Sequence, residues 1–108
     1  MYKTIEARKR DESLRRNALA DIIADRLLPY ARKTGGRYLL YGSLARKEAR
    51  YDSDVDLLLD FPAEFEGEAW RLAENLCAEL RIEHDIKPIG WCDDSFVARI
   101  APRARIIG

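Results

Sequence analysis

The chain of 108 residues predicts an α/β or α+β sandwich in which helices cover a small sheet. Three observations point to it. Residues 4–33 carry apolar side chains at helical spacing and end in Gly35-Gly36. Two short apolar runs, residues 37–41 and 54–60, are bounded by turn signals and read as buried strands. A second amphipathic stretch, residues 64–81, precedes another strand-like segment, so helical and strand periods alternate along the chain.

In order, the first helix presents Ile5, Leu14, Ala18, Leu19, Ile22, Ile23 and Leu27 as its apolar stripe. Pro29 predicts a kink or an early stop near Leu28. Ser13 is a candidate cap, but Asp11 and Glu12 suit a helix already under way, so the start is left open. Residues 37–41 form the first strand. Residues 44–48 make one or two helical turns with Ser43 at the capping position, where free backbone N–H groups attract anions. Residues 54–60 form the second strand, closed by Pro62.

In the second long helix, residues 64–81, Trp70, Ala73, Leu76, Cys77 and Leu80 share one face, and Glu64, Glu66 and Glu68 complement the dipole of its start. Residues 82–89 form a third strand, which Pro88 pushes towards a sheet edge. Asp93 or Asp94 caps a short helix over residues 95–100, Pro102 ends it, and residues 103–107 complete the sheet.

A chain of this length makes a single domain, residues 1–108, with a modest core. A hydrophobic share of 47% beside 35% charged residues excludes a disordered tail. No run approaches the roughly eighteen apolar residues of a membrane span, and the opening residues lack a signal-peptide pattern, so a cytoplasmic protein is expected. Cys77 and Cys92 match no metal or redox spacing and read as core thiols of a reducing compartment. The net charge is zero, but residues 1–50 hold 13 basic against 6 acidic residues and residues 51–108 hold 6 against 13. That asymmetry suits halves that cancel on folding better than a nucleic-acid footprint, which calls for more basic excess and aromatic platforms.

The chemistry centres on residues 38–61. Gly42-Ser43 ends one strand, ten residues follow, and Asp54-Val55-Asp56 opens the next. Alternation sends Asp54 and Asp56 to one face and Val55 and Leu57 to the other. Two like charges on one face are costly to ionise unless a cation neutralises them, and a hard metal ion with a phosphate ligand does so. Asp85, in an apolar setting on the third strand, joins them if the strands are neighbours, and it is the candidate general base. Three carboxylates, divalent metal and an anion-binding turn are the apparatus of in-line displacement at phosphorus. Gly42 lets backbone N–H groups approach phosphate oxygens, Ser43 adds a hydroxyl, and Arg46 adds a fork of donors. Lys47, Arg50 and Lys87 are weaker candidates for the same task, and Lys87 shares the face of Asp85.

The spacing of Gly42-Ser43 and Asp54-Val55-Asp56, with Asp85 in His84-Asp85-Ile86-Lys87-Pro88, resembles the signature of minimal nucleotidyltransferases of the DNA polymerase beta-like superfamily. The resemblance covers about residues 15–107. It implies an α+β nucleotidyltransferase fold, a small mixed sheet of about four strands with flanking helices. It implies Mg²⁺-dependent transfer of a nucleoside monophosphate, AMP from ATP, with release of pyrophosphate. By this resemblance Gly42, Ser43 and Arg46 carry the triphosphate, Asp54, Asp56 and Asp85 hold two Mg²⁺ ions, and Asp85 serves as base. Small members resemble one another in acting as antitoxins beside a HEPN-domain ribonuclease toxin, placing AMP on a toxin tyrosine. Lys47 departs from the pattern by replacing the glycine that members commonly carry there.

The leading reading is therefore an antitoxin that transfers AMP to a cognate HEPN toxin, as a homo-oligomer or in a hetero-oligomer with that toxin. The alternative is an antitoxin or regulatory module that neutralises its partner by binding alone. A third reading, transfer to a small molecule or an RNA end, is weakened by the lack of an acceptor domain.

Overall fold

The computed structural model describes residues 4–108. Helix α1 runs over Ile5–Thr34, strand β1 over Arg37–Tyr41, the helical turn α2 over Gly42–Ala45 and strand β2 over Val55–Asp60. Helix α3 (Ala63–Glu79), strand β3 (His84–Pro88), helix α4 (Asp94–Ile100) and strand β4 (Arg105–Ile107) follow. Two 3₁₀ turns absent from the sequence reading, Ile89–Trp91 and Ala101–Arg103, flank α4. The sheet order is β3-β2-β1-β4. β1 pairs antiparallel with β2 and β4, whereas β2 and β3 are parallel, giving the mixed four-stranded sheet of an α+β protein.

Thr4, not Ser13, caps α1, its hydroxyl accepting from the N–H of Ala7 at 3.0 Å. Ser13 lies inside the helix and donates to the carbonyl of Lys9 at 2.9 Å. Gly35 ends the helix in a left-handed conformation (φ 76°), and its N–H donates to the carbonyl of Ala31. Pro29 does not stop α1. Losing a helical hydrogen bond there costs about 3 kcal/mol, but Leu27 and Ala31 are buried on either side. Tyr30 also packs on Phe61 (5.9 Å between centroids) and donates to the carbonyl of Phe65 at 3.3 Å. Full burial of a side chain such as Leu27 is worth about 2 kcal/mol, and with Ala31 and the Tyr30 contacts it carries the helix through.

The apolar stripe is also differently phased. Arg16, Leu19, Ala20, Ile23, Ala24, Leu27 and Ala31 are buried, while Ile5, Leu14 and Ile22 face outward. Helices α1 and α3 cover one face of the sheet, where Tyr38, Leu40, Val55, Leu57, Leu59, Ile86 and Ile107 meet Ile23, Leu27, Ala69, Ala73 and Leu76. The hydroxyl of Tyr38 donates to the carbonyl of Ala69 at 2.9 Å, which satisfies the one polar atom of that buried ring. Cys77 and Cys92 are free thiols, Cys77 within this core. The opposite face carries Leu39 and Leu58 in register, with the two 3₁₀ turns against β1 and β2. Strand β3 occupies a sheet edge, as Pro88 predicts.

Candidate active site

Strand pairing builds the site. Tyr41 stands opposite Asp56, and Asp56 stands opposite Asp85, so these three residues cross adjacent strands in one row. Partners in register share a face, which puts Asp56, Asp85 and, two residues on, Lys87 on the side away from α1 and α3. Asp54 lies just before β2 and is half-buried. Asp85 is exposed, and its carboxylate accepts from Lys87 Nζ at 3.0 Å.

The chain turns out of β1 at Gly42, whose φ is 80°. A Cβ there would lie 2.4 Å from Asp56 Oδ2, so a side chain at this position is strained by the backbone and would push that carboxylate aside. The helical turn starts at Gly42 itself, with Tyr41 at the cap and no side-chain capping bond, so Ser43 does not cap it as predicted. Instead Ser43 Oγ lies 2.9 Å from Ser53 Oγ, which in turn accepts from the N–H of Arg50 at 2.8 Å. This pair ties the turn to the loop that delivers Asp54. Lys47 has φ 57°, the left-handed conformation that suits a glycine. Its ammonium donates to Asp21 on α1 at 2.9 Å and so points away from the carboxylate row.

Arg16 supports the loop from beneath and is absent from the sequence reading of the site. It is the one charged side chain buried among the described residues, at 8% exposure. It donates to the carbonyl of Ser53, to Glu12 at 2.8 Å and to Glu83 at 3.2 Å. It therefore joins α1 to the residues that precede both β2 and β3. Asn17, its neighbour, accepts from the N–H of Ala49 at 2.7 Å. A signal existed in the sequence: Arg16 falls in phase with Leu19, Ala20, Ile23 and Leu27, where an arginine must find partners.

Burial pushes the Asp56 carboxyl up to about 6, and the charges of Asp54 and Asp85 push the same way while Lys87 opposes them. Asp56 thus sits among negative charge that its surroundings do not neutralise. Its hard oxygen donors suit a divalent cation such as Mg²⁺. Among the described residues no group of three or more Asp, Glu, His or Cys side chains is drawn together closely enough to hold one as it stands. Asp54 and Asp56 fit the cation best, and the ion pair of Asp85 with Lys87 would have to open for Asp85 to join them.

On the β1 side of the row lies a cleft of about 470 Å³ lined by Tyr41, Gly42, Arg46, Arg99, Ile100 and Arg103. Arg46, predicted at the turn, lines it and donates to Glu48 at 3.3 Å. Arg99 and Arg103 were not singled out from the sequence. Their separation of four residues places two side chains on one side of a helical segment, but nothing local to them connects that segment to Gly42. The weaker candidates part company with the cleft: Lys47 is bonded to Asp21, Arg50 is exposed on the loop, and Lys87 is bonded to Asp85.

A mixed four-stranded sheet with helices on one face and this acidic row at the strand ends is the nucleotidyltransferase fold. Residues 19–102 match the family model described as the nucleotidyltransferase domain, and the chain belongs to that family. It is thereby a member of a transferase family. No curated protein matches it.

Proposed function

We propose that this chain transfers AMP from ATP to a hydroxyl of a protein partner, the tyrosine of a cognate HEPN ribonuclease toxin, and acts as its antitoxin. The observation that carries the transfer is the juxtaposition of Asp56 with Asp85 in strand register and with the Gly42 turn in direct approach. In this reading Asp54, Asp56 and Asp85 would hold Mg²⁺, which would supply neutralising charge for the triphosphate and the carboxylates together. Gly42 admits the phosphate chain close to the backbone, and Ser43 and Arg46 donate to its oxygens. Asp85 accepts the proton of the attacking hydroxyl. The acceptor oxygen bonds to the α-phosphorus, the bond from that phosphorus to the β-bridging oxygen breaks, and its electron pair leaves with pyrophosphate. Free thiols at Cys77 and Cys92 suit a cytoplasmic setting. Among the described residues no helix is long and apolar enough to cross a membrane.

The pairing of Asp85 with Lys87 supports a second reading, a module that silences its partner by contact without turnover. One experiment separates the two. The chain and its partner are co-expressed with Asp54→Asn and Asp56→Asn together, and the intact mass of the partner is measured. The transfer reading expects an added AMP group with the native chain and none with the double variant, together with loss of protection. Protection by the double variant without any mass change would replace transfer by binding.

A further inference from the structure

The cleft beside Gly42 is walled by three arginines, and no acidic side chain lines it. Arg46 has Glu48 as a partner, but Arg99 and Arg103 have no carboxylate within ion-pair distance among the described residues. This is unexpected locally, because residues 51–108 carry 13 acidic and only 6 basic side chains. Two of those six converge on one cavity and stay unneutralised. Arg99 is also pre-positioned: its guanidinium lies 5.4 Å from the ring centroid of Phe96, and Phe96 meets Tyr41 edge-on at 5.7 Å. Tyr41 is the residue opposite Asp56, so the arginine wall and the carboxylate row border each other. One side of the site is acidic and the other basic. A ligand that satisfies both is an extended polyanion, its cation-bearing end on the aspartates and its free end between the arginines.

We propose that Arg99 and Arg103 form a second cationic wall, supplied by α4 and the turn after it, that grips the terminal phosphates of a polyphosphate chain. They select nucleoside triphosphates over diphosphates and monophosphates and hold the pyrophosphate leaving group. The inference rests on the reading of the Gly42 turn as the phosphate-binding turn and extends it to residues outside the motif. A planar guanidinium fork suits bidentate contact with phosphate oxygens, and a cleft of this size lies within the usual range of ligand sites, about 300–1,000 Å³.

The test is calorimetric titration of the full chain with inorganic tripolyphosphate, pyrophosphate and orthophosphate in metal-free buffer. It is run on the native chain and in the Asp54→Asn/Asp56→Asn background, where carboxylate repulsion is removed. Affinity is expected to rise with chain length. Arg99→Gln or Arg103→Gln should each weaken tripolyphosphate about tenfold and the pair about a hundredfold, as loss of one and two charge-assisted contacts implies. Orthophosphate binding should change by less than about threefold, because a single phosphate does not span the cleft. Arg71→Gln on α3, outside the cleft, removes the same charge and should leave tripolyphosphate affinity unchanged. Arg99→Lys/Arg103→Lys keeps the charge, loses the fork, and should fall between. Equal affinity of the native chain and the double Gln variant, or an equal loss with Arg71→Gln, overturns the inference. Neither partner nor turnover enters this titration. Polyphosphate gripped by these arginines with no mass added to a partner would uphold it and defeat the transfer reading, and AMP transfer undisturbed by the double Gln variant would do the reverse.

Discussion

Gly42 and Asp56 show how closely backbone and chemistry are joined at the level of single residues. At φ 80° any side chain is strained by about 1–2 kcal/mol, and here the first carbon of that side chain would press on Asp56 Oδ2. Gly42→Ala is therefore expected to cost about 1–2 kcal/mol in urea melts and, if the proposed transfer holds, at least tenfold in rate in a transfer assay, because the displaced carboxylate is a ligand in that proposal. Activity matching the native chain would show that Asp56 has room to yield. Asp56 itself carries a pH dependence. Its carboxyl titrates near 6 folded against an ordinary 3.8. Between those values the folded chain holds the proton more tightly than the unfolded one, so this contribution to stability is complete below about pH 4 and is lost as pH rises through about 6. Discounted for solvent screening at an open site, it amounts to roughly 1–2 kcal/mol. Asp56→Asn should make the metal-free chain more stable than the native one at pH 8, and the gap should close below pH 4. A gap independent of pH would assign the effect to something other than this titration.

At the scale of elements, α1 passes through a residue that should have ended it. The local rule for Pro29 is sound, and it is overruled by burial on both neighbouring turns. Pro29→Ala restores the missing N–H and is expected to raise stability by about 1–3 kcal/mol, read as a higher urea midpoint at unchanged slope. A lower midpoint would mean that the proline ring itself packs usefully. The turn α2 shows the opposite case. Four residues of helix from Gly42 to Ala45 are too few for propensity or capping to decide, and the Ser43–Ser53 contact and the Asp56 approach hold the turn from outside. The left-handed Lys47 belongs to the same segment. Its pairing with Asp21 gives the side chain a place on α1, while the backbone bonds from Lys47 to Leu44 and from Glu48 to Ser43 close the turn.

Across the whole molecule the basic N-terminal half and the acidic C-terminal half meet face to face. Arg26 pairs with Glu79, Arg37 with Asp60 and Arg16 with Glu83, so part of the charge asymmetry of the sequence is complemented internally. Most of these pairs are exposed and are worth little individually. Arg16 differs because it is buried and joins three distant segments. Arg16→Met leaves Glu83 to water and Glu12 to Arg15, which holds it at 2.7 Å, but strips the carbonyl of Ser53 of its donor. The expected loss is about 1–3 kcal/mol, read from denaturant melts, with faster amide exchange over residues 46–54 than elsewhere. A uniform change in exchange would deny Arg16 its hold on that loop.

The alternation of periods, the glycine–serine turn and the two aspartates after it were legible in the sequence because each is a local pattern of spacing or turn chemistry. They sufficed for the α+β class and for the strands, and they offered Asp85 as a neighbour of Asp56 only if β2 and β3 adjoin, a condition that the parallel register meets. The rest was not local. The phase of the α1 stripe depended on which side the sheet approached, and the arginine wall depended on α4 folding back over Tyr41. The contact of Gly42 with Asp56 and the hold of Arg16 on Ser53 join residues far apart in the chain. Local sequence determines what each segment can become; only packing decides which distant groups share a low-dielectric space, and there the charges acquire their chemistry.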